Sequence, residues 1–429
     1  MWPREGLSPI GHRERKCFPK SVLHLDKKAN KQFGDTSAIM GRKMADLGRF
    51  FQAPAGSFFL FGPRGTGKST WIEQTFPTAQ RLDLLQPENQ RLYAARPERL
   101  RELVAGQACP RTIVLDEVQR VPALLDVVHE LIETQPGLRF VLTGSSARKL
   151  RRAGVNLLAG RAVHRALHPF LAAELGGAFD LAHALQHGLV PLIWNAPEPH
   201  DVLRSYLALY VREEVQQEGL VRNVGGFARF LEAISLTHAC PVNLSAVAAE
   251  CEVSRKTVEG YLDILHDLLL CFSVPVFTKR AQRKVTAHPK FYWFDTGVFR
   301  TARPAGLLDR PEEIGGAALE GLVAQHLRAW IDYGQRDLKL HCWRTRGGSE
   351  VDFVVYGNDG FYAVEVKAGE HVRGEDLRGL RAFGEDYPEC KRLLVYRGRE
   401  VLRIDGIVCA PVEDFLRQVR PGSELPFAE

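Results

Sequence analysis

Short, nearly continuous apolar runs, each followed by a longer mixed segment, mark the first part of the chain after residue 50. Residues 57–61 (SFFLF), 112–115 (TIVL) and 139–142 (RFVL) are runs of this kind, and residues 162–169 are a further candidate. Such runs are typical of strands buried on both faces of a parallel sheet. The pattern therefore predicts a doubly wound α/β domain, with polar ligand groups gathered where the strands end.

A glycine-rich loop follows the first of these strands directly and leads into a predicted helix that includes Trp71. The loop consists of Gly62, Pro63, Arg64, Gly65, Thr66, Gly67, Lys68, Ser69 and Thr70. The spacing GxxxxGK[ST] between a strand and a helix is that of a phosphate-binding loop, whose backbone N–H groups surround phosphates. We expect the loop to bind ATP, with Lys68 bridging the β- and γ-phosphates during catalysis and the Ser69 hydroxyl binding Mg²⁺.

Carboxylates and hydroxyls stand at the ends of the next two predicted strands. Asp116 closes the second strand and suits the role of anchoring Mg²⁺, while Glu117 can orient and deprotonate the attacking water. Thr143 and Ser145, at the end of the third strand, either contact the γ-phosphate and the water or cap a turn. Two carboxylates placed in this way after a phosphate-binding loop favour ATP hydrolysis over nucleotide storage.

Four segments together carry a family resemblance: GPRGTGKST (62–70), LDEVQRVP (115–122), LTGSSARKL (142–150) and AGRAVHRALHPF (159–170). They resemble the motifs of a predicted AAA-type ATPase family of bacteria and archaea, over roughly residues 45–400. The resemblance implies an additional-strand P-loop core, usually followed by a domain of unknown function. It also implies a homo-oligomer in which an arginine of a neighbouring subunit stabilises the transferring phosphate. Arg161 is the arginine carried forward as catalytic, with Arg148 and Arg165 as alternatives.

Apolar positions in residues 244–265 follow a helical period that is interrupted before Ser254, which predicts a helix, a turn and a second helix. Ser254 is a natural N-cap for the second helix, whose first turn begins with Arg255 and Lys256. Residues 268–277 can supply a wing, so this segment resembles a winged helix-turn-helix. We expect Arg255 and Lys256 to contact DNA, although winged helices also serve as protein contacts.

Two strands with alternating carboxylates, residues 348–356 and 361–367, are joined by a predicted turn near the C-terminus. The groups of chemical interest here are Glu320, Asp352, Glu365 and Lys367. The three carboxylates would bind Mg²⁺, and the two catalytic ones, Asp352 and Glu365, would act with Lys367 on a nucleophilic water. The spacing Asp-x12-Glu-x-Lys resembles the core of PD-(D/E)xK nucleases, although Val351 stands where that motif has proline. DNA cleavage, DNA binding alone and simple salt bridging all remain open for these residues.

The composition is that of a globular chain. Of its 429 residues, 45% are hydrophobic and 25% are charged, and its eight cysteines form no CxxC pair. No apolar run reaches the roughly 20 residues that span a bilayer. We therefore expect two or three domains in the reducing cytoplasm, with no membrane partner.

The net charge of +6 is concentrated near the N-terminus, where residues 1–39 hold eight Lys and Arg against four Asp and Glu. This segment is either a disordered basic extension or a nucleic-acid-binding arm. The rest of the chain is so nearly neutral that net charge alone does not indicate nucleic acid as a partner.

The motifs divide the chain into five segments. They are residues 1–39, the basic extension; 40–172, the P-loop ATPase core; 173–238, a helical lid-like region; 239–285, the winged helix-turn-helix; and 286–429, a nuclease-like α/β domain. Together they predict an ATPase that uses ATP and Mg²⁺ to remodel or translocate along DNA, including branched DNA. The alternative is a nucleotide switch in defence or stress signalling, in which ATP binding gates the nuclease-like domain or a protein partner.

Overall fold

The computed structural model describes residues 47–106, 112–144, 158, 160–211, 224–279, 288–307 and 309–428, and these form three β-sheets with helices around them. The strands are β1 (Phe58–Phe61), β2 (Gln80–Asp83), β3 (Thr112–Asp116), β4 (Arg139–Gly144), β5 (Val163–Ala166), β6 (Cys240–Pro241), β7 (Cys271–Val274), β8 (Lys290–Trp293), β9 (Leu338–Arg344), β10 (Glu350–Gly357), β11 (Gly360–Lys367), β12 (Lys391–Tyr396), β13 (Leu402–Ile404) and β14 (Ile407–Pro411). The α-helices are α1 (Lys68–Thr75), α2 (Pro87–Ala95), α3 (Arg99–Ala105), α4 (Leu124–Thr134), α5 (Ala172–Leu175), α6 (Leu181–His187), α7 (Pro191–Trp194), α8 (Pro199–Ser205), α9 (Val224–Ser235), α10 (Leu244–Glu250), α11 (Arg255–Asp267), α12 (Thr296–Ala302), α13 (Pro311–Gly334), α14 (Arg378–Asp386) and α15 (Val412–Gln418). A membrane-spanning helix, long and apolar enough to cross a bilayer, does not occur within these ranges.

The first sheet is parallel throughout and has the strand order β2-β3-β4-β1-β5. β4 therefore lies between β1, which precedes the glycine-rich loop, and β3, which ends at Asp116. This order confirms the predicted parallel α/β sheet and the additional strand that the family resemblance implies. Because the strands are parallel, the loop after β1, Asp116 and the end of β4 meet at one edge of the sheet.

Both faces of this sheet are covered, as the apolar runs predict. Side chains of β1 alternate between the faces: Phe59 packs in a core with Leu124 of α4, whereas Phe58 packs in a second core with Trp71 of α1. Tyr333 of α13 belongs to that second core. The first sheet therefore shares hydrophobic packing with a helix from the C-terminal part of the chain.

The two helices predicted near residues 244–265 are confirmed as α10 and α11. The Asn243 side chain caps α10 by accepting from two backbone N–H groups at 3.1 Å. The Ser254 hydroxyl accepts from the Thr257 N–H at 3.1 Å, which confirms the predicted N-cap of α11. Asparagine and serine are favoured there because a short polar side chain satisfies an N–H group that has no carbonyl partner within the helix.

A three-stranded sheet follows the helix pair, and β8 is its central strand in the order β6-β8-β7. β8 is antiparallel to β7, with Cys271 opposite Trp293. The sequence division placed β8 in the segment 286–429, but its hydrogen bonds tie it to the preceding module, which therefore extends beyond residue 285. The reason is pairing: β8 is buried along its whole length, and only strands on both sides satisfy its backbone groups.

The third sheet has six strands in the order β13-β14-β12-β11-β10-β9. β10 and β11 form the predicted antiparallel hairpin, with Val354 opposite Ala363 and Gly357 opposite Gly360. β11, β12 and β14 run parallel to one another, so the sheet is mixed. The predicted helix around residue 320 is also confirmed, as part of α13, a helix of 24 residues.

Candidate functional site

The glycine-rich loop is folded around the side chain of Lys68. The Lys68 ammonium group donates to the carbonyl of Gly62 at 2.6 Å and to that of Pro63 at 3.1 Å. The Thr66 hydroxyl donates to the same Pro63 carbonyl at 2.9 Å. Gly67 caps α1 with a φ of 87°, a left-handed conformation that suits glycine. The predicted strand–loop–helix arrangement is therefore confirmed, and it directs Lys68 into the loop.

Helices of the region after residue 173 pack against the same loop. The Leu192 N–H of α7 donates to the Gly65 carbonyl at 3.1 Å, and the Tyr206 hydroxyl donates to the Arg64 carbonyl at 3.2 Å. A Cβ atom at Gly65 would lie 2.9 Å from that of Leu192, and the φ of Gly65 is 79°. Glycine is therefore required at this position both for its conformation and for the close approach of α7.

The predicted catalytic carboxylates form a hydrogen-bonded group with Thr143 at the end of β4. The Thr143 hydroxyl donates to Asp116 Oδ1 and accepts from the Glu117 N–H at 3.1 Å. Glu117 has a φ of 57°, so the chain turns sharply after Asp116. Thr143 therefore links Asp116 and the Glu117 backbone directly, in addition to any contact it makes with a substrate.

Gln119 is a residue of this group that sequence reasoning did not select. Its amide N–H donates to Glu117 Oε2, and its side chain is buried. A Cβ atom at Gly144 would lie 2.5 Å from Gln119 Oε1, so the glycine leaves room for this amide. The signal of this contact in the sequence is weak, since it consists of the spacing of two residues between Glu117 and Gln119.

The residues at this edge fit a magnesium ion. Ser69 offers a hydroxyl oxygen at the start of α1, and Asp116 offers a carboxylate at the end of β3. Hydroxyl and carboxylate oxygens are the donors that Mg²⁺ prefers beside phosphate oxygens. Lys68, Ser69, Asp116 and Glu117 are thus all brought to one edge of the sheet.

The candidate arginines differ in their surroundings. Arg161 donates through Nε to Glu133 Oε1 at 2.6 Å on the surface of α4. Arg165 donates to the His164 carbonyl at 3.0 Å and lines a cavity of about 310 Å³ beside the end of β5. Arg148 lies outside the described residues. So does Ser145, which was predicted either to contact the γ-phosphate and the water or to cap a turn.

On the C-terminal hairpin, the selected residues Asp352, Glu365 and Lys367 are neighbours. The Asp352 N–H donates to Glu365 Oε2 at 3.3 Å, and the Val366 N–H donates to Asp352 Oδ2 at 3.0 Å. The Lys367 ammonium group donates to Glu365 Oε1 at 2.6 Å. The period-two alternation of the two strands therefore brings these groups together, as predicted.

A residue that the sequence did not indicate, Lys290 of β8, lies among the carboxylates. Its Nζ atom is 2.9 Å from Glu320 Oε1, 2.7 Å from Glu350 Oε1 and 2.9 Å from Asp352 Oδ1. The Tyr292 hydroxyl donates to Glu320 Oε1 at 2.6 Å. The Lys290 side chain is 3% exposed whereas that of Glu350 is 30% exposed, so the ammonium group is buried in a cluster that is open to solvent at Glu350.

Burial is the largest influence on the pKa values of this cluster. It raises the pKa of Glu320 to about 7, and the neighbouring Asp352 carboxylate adds to the rise. It likewise raises the pKa of Glu365 well above its usual range. Burial alone would lower the pKa of Lys290, but Asp352 and Glu320 outweigh it and hold that pKa well above its usual value. Lys290 is therefore an ammonium ion at neutral pH.

The predicted metal ligands of the C-terminal domain do not fit a metal ion in this arrangement. Glu320 and Asp352 both bind the Lys290 ammonium group, and Glu365 binds Lys367. In the described part of the chain, no group of three or more His, Cys, Asp and Glu side chains is arranged to hold a metal. The candidate carboxylates are therefore brought together, but around two lysines, Lys290 and Lys367.

The candidate DNA-contacting residues begin α11 and face solvent. Arg255 and Lys256 are both exposed, and Arg255 Nε donates to Glu259 Oε1 one turn further along at 3.0 Å. This acid offsets part of the positive charge at the start of the helix.

Comparisons with known proteins divide the chain into three matched regions. Residues 55–176 match the family model of an AAA domain, while residues 178–309 and 315–415 match two domains of unknown function, DUF8612 and DUF4143. A comparison with curated proteins found no match.

Several solved structures share limited similarity with the chain. The RuvB Holliday junction branch migration motor of Thermotoga maritima is 16% identical, with 58% of this chain and 92% of that chain covered and a TM-score of 0.26. AMPPCP-bound DnaA from Aquifex aeolicus is 13% identical, with coverages of 53% and 86% and a TM-score of 0.23. Protein VC1899 from Vibrio cholerae is 12% identical, with coverages of 86% and 97% and a TM-score of 0.21. Scores this low do not establish a common overall fold, so the family match stands on the AAA domain itself. Residues 55–176, which include the P-loop, are thus similar to an AAA domain.

Proposed function

We infer that this protein hydrolyses ATP with Mg²⁺ and uses the cycle to act on DNA. The observation that carries this proposal is the group formed by Asp116, Glu117, Thr143 and Gln119 at the sheet edge next to the P-loop. A protein that only stores nucleotide has no need of a glutamate held in a fixed orientation beside the phosphate site. The DNA part of the proposal rests on the modules that follow the AAA domain.

In this mechanism the Lys68 ammonium group exchanges the carbonyls of Gly62 and Pro63 for phosphate oxygens. Ser69 and Asp116 would hold Mg²⁺, which neutralises charge on the phosphates. Glu117, oriented by Gln119, accepts a proton from the attacking water as general base. Thr143 holds the Asp116 carboxylate and the Glu117 backbone in fixed positions relative to each other. It is also a candidate for contact with the γ-phosphate.

Completion of the site by a second copy of the chain is part of the proposal. An arginine donated across a subunit interface stabilises charge that develops on the transferring phosphate. Arg161 is the first candidate because it is half-exposed and its pair with Glu133 lies at the surface, so a change of partner costs little. Arg165, beside the cavity at the end of β5, is the second.

DNA contact is proposed for α11, as the second helix of a winged helix-turn-helix whose strands are β6, β7 and β8. Support comes from the Ser254 cap, which orients the helix start, and from exposed Arg255 and Lys256 in the first turn. A basic first turn suits contact with the phosphate backbone. The nuclease-like fold of the C-terminal domain is proposed from the hairpin that joins Asp352, Glu365 and Lys367.

A nucleotide-gated switch is the second candidate, and one chain of contacts favours it. Arg49 donates to the Thr66 carbonyl of the P-loop at 3.0 Å and to the His168 carbonyl at 2.6 Å. The His168 N–H in turn donates to the Tyr333 hydroxyl of α13 at 2.8 Å. α13 also carries Glu320. A movement of the P-loop can therefore be transmitted along this one helix to the C-terminal carboxylates.

The deciding experiment is the steady-state ATPase rate of the full chain with single-stranded, duplex and branched DNA over a salt series. An enzyme that does work on DNA turns over steadily and is stimulated by DNA, and the stimulation falls steeply as salt weakens the binding of basic side chains to phosphates. A switch retains nucleotide and turns over slowly with or without DNA. A protein that does not bind ATP would contradict both proposals.

A further inference from the structure

Lys290 reaches the C-terminal carboxylates from a different module of the fold. It is the first residue of β8, the central strand of the three-stranded sheet, whereas Glu350 and Asp352 belong to β10 and Glu320 to α13. A lysine ammonium group has three N–H donors. Here the ammonium group donates to Glu320 Oε1 and to Asp352 Oδ1 at 2.9 Å and lies 2.7 Å from Glu350 Oε1, so three different carboxylates surround one cation.

A divalent metal and this ammonium group cannot share the cluster. Mg²⁺ requires ligand oxygens at about 2.0–2.1 Å, so an ion bound by these three carboxylates would coincide with Lys290 Nζ, and the two cations would repel. The Tyr292 hydroxyl already binds Glu320 Oε1 at 2.6 Å. β8 pairs with β6 on one side and with β7 on the other, which fixes the backbone of Lys290, and the side chain itself is only 3% exposed.

We propose that Lys290 is a built-in counter-ion that replaces the divalent metal of a nuclease-like site, so that the C-terminal domain does not cleave nucleic acid. This inference rests on the nuclease-like fold proposed above and removes only its cleavage step. The lysine has two effects at once. It offsets part of the negative charge of carboxylates that would repel a phosphate backbone, and it fastens the three-stranded sheet to α13 and to the β10–β11 hairpin.

The test is a Mn²⁺ titration of the nucleotide-free full chain, with the unbound ion measured by electron paramagnetic resonance. Every protein carries Asp116→Asn, which removes the metal-anchoring carboxylate of the ATPase site. Four proteins are compared. They are the parent, the variant Lys290→Met, the variant Asp352→Asn, and the double variant that combines Lys290→Met with Asp352→Asn. Methionine keeps the length of the lysine stem without its charge. Lys391→Met is the matched control, because Lys391 lies on β12 and pairs with Glu424 at the surface, at 3.3 Å.

The parent and the Lys391→Met control are expected to bind no Mn²⁺ at this cluster. Lys290→Met is expected to gain affinity by about tenfold or more, and addition of Asp352→Asn should abolish the gain. Mn²⁺ binding by the parent that Asp352→Asn removes would overturn the proposal. A folded Lys290→Met variant without added affinity would overturn it as well.

The comparison of parent with Asp352→Asn decides the question even if Lys290→Met does not fold, which circular dichroism reports. The Lys290→Met substitution is also tested for ATPase rate and DNA affinity in a chain with native Asp116. Absence of those activities from the native chain itself would contradict the proposed function, whereas the Mn²⁺ titration addresses the lysine alone. The two failures are therefore distinguishable.

Discussion

At the scale of single residues, the nucleotide site depends on short polar contacts that fix the direction of each catalytic group. Thr143 and Gln119 each contact the turn that carries Glu117, one through the backbone N–H and the other through the carboxylate. Neither of these hydrogen bonds involves the phosphate-binding lysine. Nucleotide binding and water activation are therefore assigned to separate residues, and substitutions should separate the two functions.

Lys68→Ala should abolish ATP binding or turnover, because the phosphate site loses its point charge. Glu117→Gln should keep the affinity for ATP and slow hydrolysis by about 10²- to 10⁴-fold, since only the base is neutralised. Equilibrium binding of a fluorescent ATP analogue and single-turnover hydrolysis measure the two effects. Equal loss of ATP affinity in both variants would contradict the division of roles.

Gln119→Leu should lower kcat by about tenfold or more and leave the Kd for ATP unchanged, because the Glu117 carboxylate loses the amide that orients it. In the Glu117→Gln background the same substitution should have little further effect, since Gln119 acts through Glu117. Gln135→Leu, at an exposed glutamine that ends α4, is the control. Additive losses in the double variant would show that Gln119 acts independently.

At the scale of secondary structure, local signals explain most of what the sequence could predict. The P-loop, the cap at Ser254 and the hairpin turn at residues 357–360 are each specified by residues close together in the chain, and each was confirmed. The pairing of β8 with β6 and β7 has no such local signal, because the run KFYW is apolar without alternation. Such a run indicates burial but does not indicate which strands it joins.

The first turn of α11 allows a prediction about this element alone. Replacement of Arg255 and Lys256 by alanine should weaken DNA binding similarly for all sequences. It should also reduce the slope of log K against log salt by roughly one for each phosphate that the helix no longer neutralises. Fluorescence anisotropy over a salt series measures both quantities, and basal ATPase activity should not change.

Arg310→Ala is the matched control, because Arg310 also stands at a helix start, where it is exposed and pairs with Glu313 at 3.0 Å. DNA affinity that is unchanged in the Arg255 and Lys256 variant would mean that this helix contacts protein. That result would favour the nucleotide switch.

At the scale of the whole molecule, the decisive contacts join residues far apart in sequence. Lys290 and Asp352 are separated by 62 positions, and His168 and Tyr333 by 165. Nothing in the local pattern around Lys290 distinguishes it from a surface lysine at a strand start. The carboxylates could therefore be selected from a motif, but the ion that they bind could not, because it is supplied by β8, a strand of a different sheet.

His326 of α13 is one of these long-range contacts. Its Nδ1 donates to the Leu322 carbonyl at 2.8 Å, and its Nε2 accepts from the Ala172 N–H at 2.9 Å. The ring is therefore neutral, and protonation of Nε2 would bring two N–H groups together. Burial lowers the pKa of His326 from 6.5 to about 4. In the unfolded chain this histidine regains its ordinary pKa and takes up a proton below about pH 6.5.

This difference in pKa between the folded and the unfolded chain predicts how acid changes the stability that the His326 contact contributes. Because the folded pKa is depressed, the contribution of His326 to stability is fully present above about pH 6.5 and decreases as the pH falls, by about 1.4 kcal/mol per pH unit. The stability difference between the native chain and His326→Gln should therefore shrink by about 2 kcal/mol between about pH 7.5 and about pH 5. Urea unfolding followed by tryptophan fluorescence measures it, with His129→Gln on the surface of α4 as the control. A stability difference that stays constant over this pH range would show that His326 is not held neutral in the folded chain, contrary to a ring whose Nε2 accepts from the Ala172 N–H.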